Sequence, residues 1–99
     1  MTEDPLSNIL GIRLKEVRKA EGLSQLAFGE MTAIPLDTIK GYESRSKQKQ
    51  VSSATLMKVT NHPEFEKYAL WLMTGHVSPE GGQISPEIKL QAAQLKTGS

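Results

Sequence analysis

Apolar residues at the start of the chain recur at helical spacing, with Leu6, Leu10, Leu14 and Val17 on one stripe and basic residues on the other side. This pattern predicts a helix over about residues 7–20. Gly22 suits a left-handed close to that helix, and Ser24 is placed to N-cap a second one over about 24–31. Phe28, with the small Gly29 beside it, suits a helix crossed closely by another. Ala33-Ile34 marks a turn, and Pro35 suits the first turn of a third helix over about 35–44, where its missing N–H is harmless. In that helix Ile39 and Tyr42 face inward. Asp37, Lys40, Gly41 and Ser44 follow i, i+3, i+4, i+7 and form a separate polar face. A fourth helix over about 52–61 turns Leu56 and Val59 inward, and a fifth is expected to begin near Pro63 and close at Gly75. The segment HVSPEGGQISP from His76 to Pro86 reads as a turn-rich linker. Ser85-Pro86-Glu87 then opens a last short helix with Ile88, Ala92 and Leu95 on one side.

No strand pattern interrupts this series, so the expected fold class is all-α. The division it implies is a five-helix unit over 6–75, a linker over 76–85 and a short extra C-terminal helix over 86–96. The second and third helices, joined by a tight turn, give a polar helix face held at a fixed angle. Such a face can enter a DNA major groove, which makes double-stranded DNA the leading partner.

The ordered pieces Arg13-Leu14-Lys15-Glu16-Val17-Arg18-Lys19, Leu23-Ser24-Gln25, Thr38-Ile39, Tyr42-Glu43, Thr55-Leu56-Met57-Lys58-Val59 and Trp71-Leu72-Met73-Thr74-Gly75 resemble the phage-repressor and Cro-like helix-turn-helix family, also called the XRE family. The resemblance spans roughly residues 9–75 and implies a lambda-repressor-like fold and a DNA-binding regulator. It also implies a structural ion pair between Arg18 and Glu43 and a phosphate contact from Gln25. The chain departs from the family pattern at Thr32, where a large apolar residue is usual, and at Ala33, where a glycine is. Pro35 and Leu36 stand where polar capping and base-reading residues are common, and the connection after Glu43 is longer than usual. A chain of this length is also expected to lack the self-cleaving serine–lysine peptidase of larger phage repressors.

Composition narrows the picture further. At 99 residues the chain holds one small helical core. It has no cysteine, which excludes disulfides and thiolate metal sites and fits a cytoplasmic location. The acidic start MTEDPLSN has no export-signal pattern, and the longest apolar run, Tyr68 to Met73, is far too short to span a membrane. His62 and His76 lack partners at ligand spacing, so no metal or other cofactor is expected. No nucleophile–base pair, carboxylate dyad or phosphate-cradling glycine loop is apparent, so an enzyme is not expected.

Net charge is only +1, but Lys40, Arg45, Lys47 and Lys49 cluster against Glu43 alone. Beside a recognition helix, such a run is placed to displace counterions from phosphates. Candidate phosphate contacts are therefore Arg45, Lys47 and Lys49, joined by Gln25 through the resemblance and by Thr38, which either reaches phosphate or hydrogen-bonds its own helix; Arg13 and Lys15 either reach phosphate or are simply solvated. Candidate base-reading positions are Leu36, Asp37, Lys40 and Gly41. Leu36 either packs on a thymine methyl or on Leu26. Asp37 either accepts from a cytosine amino group or merely favours the helix N-terminus. Lys40 donates to guanine or phosphate. Gly41 either allows close approach to the groove or serves helix packing. Trp71, Met73, Ile88 and Leu95 widen the apolar surface beyond one core stripe and suggest a dimer or partner contact. The reading is a repressor acting as a homodimer on an inverted-repeat operator. The competing class is a protein–protein module on the same fold, of antitoxin or anti-repressor type.

Overall fold

The computed structural model describes residues 5–44 and 49–97, with side chains from 9 to 95 outside the 45–48 gap. Within them lie six α-helices: α1 (Pro5–Ala20), α2 (Gln25–Thr32), α3 (Leu36–Glu43), α4 (Ser53–Thr60), α5 (Ala69–Thr74) and α6 (Pro86–Thr97). Single 3-10 turns occupy Glu66–Tyr68 and Pro79–Gly81, and the one extended pairing among the described residues is an isolated bridge between Ser78 and Gln83. The fold is an all-α, helix-turn-helix type domain carrying an additional C-terminal helix.

Local chemistry explains the boundaries. At the end of α1, Gly22 takes φ +69° and donates to the Lys19 carbonyl, while Leu23 N–H donates to Arg18 O at 3.1 Å. That pair of bonds satisfies carbonyls the helix would otherwise leave open. Ser24 then caps α2, its Oγ accepting from Ala27 N at 3.0 Å, and Ser52 caps α4 in the same way through Thr55 N at 3.1 Å. Each such cap contributes about 1 kcal/mol.

The core is assembled from every one of the first five helices. Leu14 and Val17 of α1 meet Phe28 of α2, Ile39 and Tyr42 of α3, Val59 of α4 and Leu72 of α5, all buried. Phe28 and Phe65 pack edge to face at 5.1 Å between centroids, an arrangement their ring quadrupoles favour. Thr32 is buried too, at the position where the sequence departs from a large apolar residue. Its hydroxyl donates back to Phe28 O at 2.7 Å, so the polar atom is satisfied inside the helix.

The fifth helix departs from the expected start near Pro63. Residues after α4 instead fold as tight turns, with His62 O accepting from both Phe65 N and Glu66 N at 2.9 Å. His62 Nδ1 accepts from Glu64 N at 3.1 Å, and α5 starts only at Ala69. The segment after Gly75 is pinned rather than loose. Gln83 Oε1 accepts from Leu70 N at 2.9 Å, its Nε2 donates to Glu66 O at 3.0 Å, and Ile84 N donates to Lys67 O at 2.8 Å.

Glu21, at the end of α1, gathers the C-terminal elements. Its carboxylate accepts from Tyr68 Oη at 2.6 Å and pairs with Lys67 at 3.2 Å and, more distantly, with Lys89 of α6 at 3.8 Å. Burial alone would raise its pKa, but the Tyr68 hydroxyl and the two ammonium groups outweigh that and hold it below the usual range. The Tyr68 phenol moves up, through burial and then through its bond to Glu21.

Candidate nucleic-acid interface

α3 is the element on which the candidate base-reading residues lie, and both of its ends are fixed. At 100° per residue, Ile39 and Tyr42 point to one side and are buried, leaving Asp37, Lys40, Gly41 and Ser44 on the opposite side. Asp37 and Lys40 are exposed, Gly41 and Ser44 half-buried.

The N-terminal end is set by the turn from α2. Ala33 sits at φ 60°, ψ 36°, a left-handed conformation that glycine usually supplies. Ile34 N–H donates to Gly29 O at 2.9 Å, closing α2 in the geometry also seen after α1. The Ala33 carbonyl in turn accepts from Lys58 Nζ of α4 at 3.3 Å. Gly29 makes the turn sterically feasible, because a Cβ there would lie 2.7 Å from the Ile34 carbonyl oxygen. The close approach to Gly29 thus comes from its own turn. Pro35 stands just outside α3 as its N-terminal flank, with its carbonyl accepting from Thr38 N and Ile39 N. Leu36 is half-buried and shares with Leu26 and Pro35 a notch of about 300 Å³ over the turn.

The C-terminal end is held by one carboxylate. Arg18 grips Glu43 through two parallel bonds, Nε to Oε2 at 2.8 Å and Nη2 to Oε1 at 2.9 Å. The paired side chains are only 13% and 7% exposed, and a third Arg18 nitrogen donates to Leu23 O at 2.8 Å. Bidentate geometry with a further acceptor leaves little of the guanidinium unsatisfied. Gln25 Nε2 also donates to Glu43 Oε1, at 3.0 Å, so α1, α2 and α3 converge on one group. An amide nitrogen carries two hydrogens, and one of Gln25's is committed to Glu43.

The remaining candidates divide between reach and framework. Thr38 is half-buried, and Lys49 is exposed. Arg45 and Lys47 lie outside the described residues. Gly41 does not leave an open approach to a groove: the space a side chain would take is filled by the aliphatic stem of Lys49. Arg13 is occupied as well. Its Nη1 donates to Leu72 O at 3.1 Å at the end of α5, and its guanidinium lies 5.7 Å from the Trp71 ring centroid. Sequence reasoning missed this framework use of Arg13, since its acceptor is a backbone atom far along the chain.

Of the candidate partner surface, Trp71 is half-buried against the core, and Ile88 is half-buried; Met73 and Leu95 are 61% and 77% exposed. A groove of about 530 Å³ runs between α1, α5 and α6, lined by Glu16, Lys19, Trp71, Pro86 and Leu90 among others. No helix among the described residues is long and apolar enough to cross a membrane.

In this small all-helical domain the α2–turn–α3 unit is thus braced at both ends of α3, by the turn at Ala33 and by the contacts on Glu43. The chain is 34% identical over 83 residues to Repressor protein C of Escherichia phage P2, covering 84% of this chain and 82% of that protein. It belongs to that family of phage repressors. No protein-family model matches the chain.

Proposed function

We propose that this chain is a sequence-specific DNA-binding transcriptional regulator of the XRE helix-turn-helix class, working as a cytoplasmic, non-enzymatic repressor. The observation that carries this reading is α3: a helix fixed at both ends, with Asp37 and Lys40 exposed on the side away from the core. Its kinship with a phage repressor supports reading that face as the DNA contact. In this reading α3 supplies base contacts through Leu36, Asp37 and Lys40. The second Gln25 amide hydrogen, Thr38, Arg45 and Lys47 bind phosphate and set register. Repression is steric, the bound protein occupying an operator and blocking polymerase. Residues 6–75 form the DNA-binding unit, and 86–96 with the exposed Met73 form a contact between two copies, which then read paired half-sites as an inverted repeat.

The test is protection of the DNA immediately upstream of its own gene, with scrambled DNA as competitor and salt varied. Protection of paired half-sites, lost in Lys40→Ala with the fold intact, supports the reading; their relative orientation reports the symmetry of the bound protein. Weak binding equal on both DNAs and abolished by salt would overturn it. A second reading rests on Leu90 and Leu95, which α6 leaves 50% and 77% exposed: a protein-partner module of antitoxin or anti-repressor type. A partner encoded beside the gene that co-purifies only when Leu90 and Leu95 are intact would favour it.

A further inference from the structure

Gly41 and Lys49 touch in two independent ways. Lys49 N–H donates to the Gly41 carbonyl at 2.9 Å, so the chain at Lys49 lies against the end of α3. Its side chain then lies across the glycine: a Cβ at position 41 would sit 2.6 Å from Lys49 Cδ, 2.7 Å from Cγ and 3.0 Å from Cε. Gly41 is on the side of α3 that carries Asp37 and Lys40, away from Ile39 and Tyr42, so the lysine stem crosses the outward face. Apart from proline, glycine is the poorest residue for a helix interior, which makes its presence there call for a reason. The stem supplies one. Lysine carries four methylenes that lie readily on apolar surface while the ammonium stays in water.

We propose that Gly41 and Lys49 form a single recognition element, resting on the DNA-binding reading above. Bare glycine is the positioning residue; it seats the stem so that the Lys49 ammonium joins Lys40 on the groove-facing side of α3. Lys49 is then a specificity-determining contact, donating to the O6 and N7 acceptors of a guanine rather than to a phosphate. A seated stem loses its rotamer freedom during folding, not during binding, so the ammonium arrives at a defined place.

The experiment compares wild type, Gly41→Ala, Lys49→Ala and the double variant on the upstream DNA and on scrambled DNA over a range of salt. Lys49→Ala is expected to weaken binding to the upstream DNA by about tenfold and to leave scrambled DNA and the salt slope nearly unchanged. Gly41→Ala should give the same loss with Lys49 still present, and with thermal stability no lower than wild type. The double variant should bind no more weakly than either single one. Equal losses on both DNAs with the salt slope reduced by about 1 would identify a phosphate contact and overturn the base-reading role. Additive losses, or none, would overturn the coupling. NMR of the DNA-free protein checks the seat itself, through contacts between Gly41 Hα and the Lys49 methylenes that Gly41→Ala abolishes. Their absence in the wild type overturns the seat. A wild type that fails to distinguish the two DNAs, with those contacts present, overturns the DNA-binding reading and the recognition role with it.

Discussion

The two ends of α3 are secured by different materials. At its start the turn is built from backbone: the Ile34 carbonyl pressed over Gly29, Ala33 in a left-handed conformation, and the Pro35 carbonyl accepting the first helical bonds. At its close, side chains add to the backbone: Arg18 and Gln25 meet on Glu43, and Lys49 meets Gly41 through its stem as well as its N–H. The same residue type, a glycine inside a helix, therefore answers two needs. Gly29 yields to a backbone atom that cannot move aside, whereas Gly41 yields to a flexible side chain that can. Changes at the first end should register directly in stability, as a loss or a gain. At the second they separate into a structural group around Glu43 and a seat whose loss leaves the fold intact.

The largest effect should come from breaking the side-chain end at its centre. Glu43→Gln leaves the Arg18 guanidinium without its charge partner in a mostly buried place, and chemical denaturation should show a loss of about 3 kcal/mol. Next, Gly29→Ala sets a Cβ against the Ile34 carbonyl oxygen. The turn must shift, and thermal melting should reveal a loss of roughly 2 kcal/mol despite the gain in helix propensity. Ala33→Gly sharpens the contrast in the other direction. Removing the Cβ relieves a left-handed alanine, and the protein should gain about 0.5–1 kcal/mol in the same melts. Smallest is Gly41→Ala, where the Lys49 stem swings away. Denaturation should place this variant between no change and a gain of about 1 kcal/mol. A loss as large as that at Gly29 would show that Lys49 is as fixed as backbone and would erase the distinction.

Much of this frame was legible in the sequence, because it follows from local rules. Gly22, Ser24 and Gly75 announce helix ends by residue type, and the spacing of Leu14, Val17, Ile39 and Tyr42 announces the core. Pro63 resembles a helix start in the sequence, yet α5 begins only at Ala69. The His62 carbonyl instead gathers two N–H groups into tight turns, a choice made by the packing of Phe65 beneath it. Position 33 was legible as a departure from family habit, but not that an alanine would hold the glycine conformation. The sequence leaves the use of Gly41 open between groove approach and packing. Its occupant lies eight positions further on, and no residue type between them says that Lys49 meets Gly41. Arg13 was ambiguous for the same reason, its acceptor being a carbonyl of α5.

The contacts around Glu43 also carry a consequence for the order in which the molecule assembles. Arg18 and Glu43 are 25 positions apart, whereas Tyr68 reaches 47 positions back to Glu21 and Arg13 reaches 59 forward to Leu72. Closing the longest of these loops costs roughly 0.8 kcal/mol more than closing the shortest. Early in folding, before burial offsets that difference, α1, α2 and α3 hold the kinetic advantage. The face proposed to meet DNA would then take shape before α5 is tied back to α1.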